Sequence, residues 1–222
     1  MTVEEKVEGL VQHYVDHRAV FERLGEALFN LAQDAKLRPL IHSSKWRSKD
    51  PAHLAEKLRK KIFRANEEGV PFEISSDNLF EKINDLSGLR LIYLHTDQFP
   101  EIDVCLRSLL DSEGYTIIEG PKARVWDSEY ESVFKGFGVE TDVNPRLYSS
   151  VHYVVSATGK LPRTAEIQVR TLAEEVWGEV DHLINYPDKS ELLAITEQIR
   201  VLARVTSSCT RLVDSIFRCH KE

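Results

Sequence analysis

The chain has 222 residues, 42% of them hydrophobic and 29% charged, with a formal net charge of −7. That balance suits a packed, soluble domain and argues against a general nucleic-acid binder. No apolar run approaches the ~20 residues that span a bilayer, the acidic start Met1–Lys6 lacks an apolar secretion segment, and Cys105, Cys209 and Cys219 show no CxxC spacing, so reduced thiols, a cytoplasmic location and no membrane partner are expected.

Apolar residues at Val3, Val7, Leu10, Tyr14, Phe21, Leu24, Leu28 and Leu31 recur at helical spacing, which predicts a helix over 3–33 with one stripe to bury. Asp50-Pro51 predicts the next helix start, with Asp50 as N-cap and Pro51 in the first turn, running to about Asn66 before Gly69. Between Lys36 and Arg64 there are ten Lys or Arg against Asp50 and Glu56, a local excess of +8 in an acidic chain. On the helix, Lys57, Lys60, Lys61 and Arg64 share a face. They fit either a polyphosphate site or a solvated helix surface.

Gly88–His95 reads as a central strand, Phe99–Ser112 as a helix stopped by Gly114, and Tyr115–Glu119 as a strand ended by Gly120-Pro121. Gly136–Pro145 carries Gly, Asp, Asn and Pro and reads as a loop. Val151–Ser156 and Ala165–Val169 follow as strands joined by a turn at Thr158-Gly159-Lys160, then a helix over Leu172–Asn185 that stops before Pro187.

The segment from Ser190 onward is helical. It places Leu192, Ile195, Ile199, Leu202, Cys209, Leu212, Ile216 and Cys219 on a narrow seam broken at Thr206. That seam suits packing on the N-terminal helix or on another subunit. The expected fold is α/β: a mixed β-sheet of about five strands flanked by helices. A single domain over 1–222 is expected, with its core at about 40–187, an N-terminal helix over 3–33 and a C-terminal helix over 190–220.

Two acids stand at sheet positions. Asp85 precedes Gly88 by three residues, and Glu166 opens the strand Glu166-Ile-Gln-Val-Arg170. Such a pair is what a nucleotide-transfer site uses to hold Mg²⁺ against phosphates, although strand-end acids are usually solvated. The same strand alternates Glu166, Gln168 and Arg170 with Ile167 and Val169, presenting an acid, an amide and a guanidinium on one face. Tyr148 is a candidate base-stacking ring or an ordinary strand tyrosine, and His152 is a candidate site histidine or a structural one. No GxxxxGK[ST] phosphate loop is present.

These segments resemble the RelA/SpoT synthetase family. Asp85-Leu-Ser-Gly-Leu-Arg90-Leu-Ile is similar to its D-x-x-G-x-R strand, and Tyr148-Ser-Ser-Val-His152 to its G-Y-x-S-x-H segment. Glu166-Ile-Gln-Val-Arg-Thr171 with Trp177 and Asp181-His182 resembles its E-x-Q-[IV]-R-T…W…E-H signature. Arg47-Ser-Lys49 followed by Lys57-Leu58 and Lys60 resembles its R-x-K-S…K-L segment.

The resemblance implies a nucleotidyltransferase-like fold and a pyrophosphokinase that moves the β,γ-pyrophosphate of ATP to the ribose 3′-hydroxyl of GDP or GTP, making a (p)ppGpp-type alarmone. It implies that Arg47 and Arg90 sandwich adenine and that Lys49, Lys57 and Lys60 hold phosphates. Asp85 and Glu166 would bind Mg²⁺, with Glu166 also helping to deprotonate the hydroxyl. Tyr148 would stack on the acceptor base, with His152, Gln168 and Arg170 nearby. Small members of the family imply a homo-oligomer through the C-terminal helix.

Three departures stand out. Leu147 replaces the family's glycine before the tyrosine, Ser149 replaces its basic residue, and His53 replaces a small hydroxyl. The first two leave room for a toxic relative that modifies an adenosine nucleotide or the tRNA 3′ end, although the net charge does not favour tRNA. A non-catalytic nucleotide-sensing module is the remaining alternative. No His-Asp dipeptide occurs, so the family's hydrolase is not expected in this chain.

Overall fold

In the computed structural model, the structure describes residues 2–143, 147–157, 163–185, 190 and 192–221. The expected turn at Thr158-Gly159-Lys160, Asn144, Pro145 and Pro187 lie outside them. A first helix, α1 (Val3–Leu31), buries Val7, Leu10, Tyr14, Phe21, Leu24, Leu28 and Leu31 of the stripe its spacing predicts, while Val3 in the first turn is exposed. Strand β1 (Ser43–Ser48) leads to α2 (Pro51–Glu67), where Asp50 caps the amides of Ala52 and His53. The short α3 (Leu79–Lys82) precedes β2 (Ser87–Tyr93). Then come α4 (Phe99–Ser112), β3 (Tyr115–Val125), α5 (Ser128–Gly136) and β4 (Glu140–Val143). The chain closes with β5 (Ser150–Ala157), β6 (Arg163–Thr171), α6 (Leu172–Asn185) and α7 (Leu193–Lys221).

The six strands form one mixed sheet in the order β1-β2-β6-β5-β3-β4, with β2/β6 and β3/β4 parallel and the other pairs antiparallel. Several details differ from the sequence reading, the first being that Glu140–Val143, inside the stretch 136–145 expected as a loop, pairs as β4 with Lys122–Val125 of β3. The strand β1 has the sequence SSKWRS, which lacks apolar alternation; an edge strand needs little of it, because its polar residues reach solvent. A nine-residue helix, α5, occupies a stretch where none was expected and is capped by Asp127. The strand β3 runs past Gly120-Pro121 to Val125, with register shifts around Glu119 and Lys122 absorbing the break. Gly120 has φ +94°, and a Cβ there would come within 2.3 Å of the His152 carbonyl oxygen, so glycine alone fits.

One sheet face carries Leu89, Leu91, Tyr93, Val151, Tyr153, Ile167 and Val169 into a core completed by α1, α4 and α5. A second cluster joins the first half of α1 to Leu54, Leu58 and Ile62 of α2 and to Leu79, Phe80 and Ile83. The opposite sheet face stays polar and is partly covered by α6.

The last helix docks differently from its seam. The chief neighbours of α7 are α6 and the turn Thr96–Gln98, whereas those of α1 are α2, β1 and β2. Its buried positions are Ile199, Ala203, Thr206, Ser207, Thr210 and Asp214, while Leu192, Leu212 and Ile216 are exposed by 64%, 63% and 57%. The Asp214 carboxylate accepts from the Thr96 amide at 2.6 Å and its hydroxyl at 2.7 Å. Arg211 pairs with Asp127 at 3.0 Å and Glu129 at 2.6 Å. Periodicity locates an apolar face but does not say which way it turns, and here polar bonds fix the helix with much of that face outward.

Ile199→Asp is expected to destabilise the fold by ~3 kcal/mol or more, because it buries an unpaired charge in a tight cluster. Leu212→Asp should stay within about 0.5 kcal/mol of wild type in the monomer. Urea denaturation of both variants measures the contrast.

Candidate active site

The strand registers lay out the polar face in two rows. Arg47 lies opposite Gly88, and Gly88 opposite Glu166. One step along, Lys45, Arg90, Gln168 and His152 are successive cross-strand partners. Because side chains alternate with period two, both rows project to the same side. Apart from His152, which bonds to Glu166 from outside the lining, they line a cavity of ≈ 210 Å³ together with Trp46, Asp85, Leu89, and Glu179 and His182 of α6.

Asp85 and Glu166 are held as anions by different partners. Burial pushes the Asp85 carboxyl up, but Lys49 and Lys57, each 2.8 Å away, outweigh it and bring it to about 2. Burial likewise opposes ionisation of Glu166, and His152 Nδ1 and Gln168 Nε2, both at 2.8 Å, bring it to about 2. Two ionised carboxylates opening on one cavity are a hard oxygen donor set that fits Mg²⁺, which takes few carboxylates and completes its shell with water and phosphate oxygens. Among the described residues no group of three or more His, Cys, Asp or Glu could hold an ion, so substrate oxygens would have to supply the rest.

The cations divide. Arg47 is exposed at the cavity. Arg90 is fixed at its tip, with Nη1 donating to Glu179 at 2.6 Å and Glu175 at 3.2 Å. Lys45 pairs with the same two acids. Burial would raise the Glu179 carboxyl, but Lys45 and Arg90 pull it down to about 2. Lys60 pairs with Glu56 on its own helix, outside the cavity lining.

Arg170 shares the sheet face with Gln168 but is covered by α6. It is 5% exposed, ion-paired with Glu175, and packed where a Cβ on Gly178 would come within 2.6 Å of Nη1. It is absent from the cavity lining. The Tyr148 ring lies parallel to Trp177, with centroids 5.9 Å apart and an 8° interplanar angle, and edge-on to His152 at 6.3 Å.

Sequence reasoning missed Glu175, Glu179 and Arg124. The two acids stand four apart on α6 and were readable as a helix face, but nothing in the sequence said that Arg90 lay beneath it. Arg124, half-buried on β3, bonds to the Tyr148 side chain. The sequence predicts that its strand stops at Gly120-Pro121, whereas β3 runs on to Val125.

Residues 46–191 match the family model for the region found in RelA/SpoT proteins. The chain is 25% identical over 172 residues to GTP pyrophosphokinase YjbM of Bacillus subtilis (strain 168), a match that covers 75% of this chain and 65% of that relative's length. Its fold resembles the crystal structure of small alarmone synthetase 1 from Bacillus subtilis bound to its product pppGpp, with a TM-score of 0.61 and 18% identity over 95% of this chain and 97% of that one. The same synthetase bound to AMPCPP aligns with a TM-score of 0.58 and 18% identity, again over 95% and 97%.

Behind the site, Glu174 of α6 is 2% exposed. Its Oε2 accepts the Ser149 amide at 3.1 Å, and its buried Oε1 has no hydrogen-bond partner among the described residues. Burial raises the carboxyl from 4.5 to about 7, against a smaller opposing pull from the Ser149 amide and Arg170. Between those two values the folded chain keeps a proton that the unfolded chain has lost, so this group makes stability fall as pH rises. Glu174→Gln removes the effect. Its stability relative to wild type should rise by about 2–3 kcal/mol from pH 5 to pH 8, as read by urea denaturation at both values.

Proposed function

The chain belongs to the RelA/SpoT family, and from that premise we propose that it transfers the β,γ-pyrophosphate of ATP to the ribose 3′-hydroxyl of GDP or GTP. The observation that carries this reading is the pair Asp85 and Glu166, ionised on one cavity that Arg47 and Arg90 also line. A scaffold that only senses nucleotides has no need to hold two acids against burial.

In this reading the adenine lies between the Arg47 and Arg90 guanidinium planes, which stack on bases. Glu175 and Glu179 grip the Arg90 tip, so its flat faces stay available. The polyphosphate runs toward Lys49 and Lys57, which exchange Asp85 for phosphate oxygens, and Lys60 joins them after leaving Glu56. Asp85 and Glu166 would hold Mg²⁺, which would supply charge neutralisation on the phosphates.

Tyr148 carries the acceptor base, with Arg124, His152 and Gln168 around the acceptor. Arg170 acts from behind, through Glu175. The acceptor 3′-oxygen attacks the β-phosphorus in line, the bond from that phosphorus to the α,β-bridging oxygen breaks, and AMP leaves. Glu166, steadied by His152 and Gln168, takes the hydroxyl proton. A cytoplasmic location fits these substrates.

Glu166→Gln and Asp85→Asn should each lower transfer at least 100-fold while leaving the circular dichroism spectrum unchanged. Tyr148→Ala should raise the acceptor KM, and Tyr148→Phe should keep it near wild type because stacking needs only the ring. Labelled ATP with GDP, GTP, an adenosine nucleotide or tRNA as acceptor reads all of these. Transfer only to the last two would replace the guanosine reading. Glu166→Gln keeping most of its turnover would remove Glu166 from the chemistry.

The outward apolar residues of α7, among them Val201, Val205, Leu212 and Ile216, are the proposed surface for a second copy of the chain. Light scattering should give a multiple of the 25.5 kDa chain mass, and Leu212→Asp should return a folded monomer. A wild-type monomer at high concentration would end that proposal.

A further inference from the structure

The segment Leu147–Ser149 is held from behind by one face of α6. Trp177 is 5% exposed and lies parallel to Tyr148. Its indole N–H donates to the Ile199 carbonyl of α7 at 3.1 Å. Glu174, three positions earlier and therefore on the same helix face, accepts the Ser149 amide at 3.1 Å.

Leu147 has φ +61°, a left-handed conformation that a branched side chain adopts only when its surroundings impose it. Those surroundings are visible: Leu147 and Tyr148 pack on Trp177, Ile199 and Ala203. Three consecutive residues are thus fixed by a helix that contributes other side chains, Glu179 and His182, to the cavity wall.

We propose that Trp177 and Glu174 are positioning residues for the acceptor, with Trp177 backing the Tyr148 ring and Glu174 setting the backbone beside it. The inference rests on the reading of Tyr148 as the platform for the acceptor base. One face of the Tyr148 ring is taken by Trp177, so the base stacks on the other face and makes a three-layer stack of indole, phenol and purine. The hydrogen bond from Trp177 to Ile199 joins that stack to α7, so the last helix bears on acceptor geometry without touching the acceptor.

The test uses the full chain and four variants. Trp177→Leu removes the aromatic backing and Trp177→Phe keeps a ring. Glu174→Met removes the acceptor of the Ser149 amide and Glu174→Gln keeps one. Amide hydrogen exchange over residues 147–151 is measured without nucleotide, and KM is measured separately for ATP and GDP.

Trp177→Leu and Glu174→Met should speed exchange in that segment about tenfold and raise the GDP KM about tenfold, with kcat and the ATP KM within about twofold of wild type. Trp177→Phe and Glu174→Gln should stay within about threefold on every measure. Unchanged exchange, or an ATP KM that rises in step with the GDP KM, overturns the inference. Failure of the underlying reading looks different: the wild-type chain then transfers nothing to GDP, while the exchange contrast still reports whether the two residues hold the segment.

Discussion

The parallel pairing of β2 with β6 is the constraint on which the rest of this structure depends. These strands are distant in sequence, and their register sets Gly88 opposite Glu166 and Arg90 opposite Gln168. It thereby puts Asp85, just before β2, at the same end of the sheet as Glu166. A slip of one residue would turn Glu166 and Gln168 into the core and Ile167 and Val169 out. The fully buried Leu89, Leu91, Ile167 and Val169 forbid that slip, so the hydrophobic core fixes the geometry of the polar face.

Charge balance is the second layer. A buried carboxylate left alone takes up a proton, and the acids at and behind the cavity meet that penalty differently. Asp85 is ionised by two lysines and Glu166 by a histidine and an amide. Glu175 and Glu179 draw on Lys45, Arg90 and Arg170. Glu174 has little compensation and holds its proton to about 7. The cations that neutralise Asp85 are lysines, the type of side chain that also binds phosphate. Acids and cations at the cavity thus form ion-pair networks.

The long terminal helices serve this face from opposite sides. The first, α1, backs the core face, and its Gly25 lets Trp46 of β1 approach so closely that a Cβ would meet the ring at 2.5 Å. The last, α7, packs chiefly on α6 and is fastened by Asp214, Arg211 and Thr210. Hydrogen bonds of this kind specify one position, whereas an apolar stripe tolerates sliding. A polar fastening therefore suits a helix whose carbonyl at Ile199 anchors Trp177.

The sequence by itself determined a good part of this. The bounds of α4 and α6 and the buried stripe of α1 were legible because local spacing and caps decide them. So were the acids Asp85 and Glu166 and the alternation along β6, because motif residues stand at fixed short separations. Tertiary structure alone decided the remainder. The polar edge strand β1 has no apolar signature of its own and exists through its pairing with β2. Arg170 follows the alternation of Gln168, yet α6 covers it, and Lys60 follows the spacing of Lys57, yet it turns to Glu56. The spacing along α7 leaves its direction open between the N-terminal helix and another subunit; the structure packs Ile195, Ile199 and Leu202 near Trp177 and leaves Leu192, Leu212 and Ile216 outward, since periodicity fixes relative positions on a helix while the partner surface fixes its rotation. Chain-local rules specify which residues share a face; only contacts between segments far apart in sequence specify what that face meets.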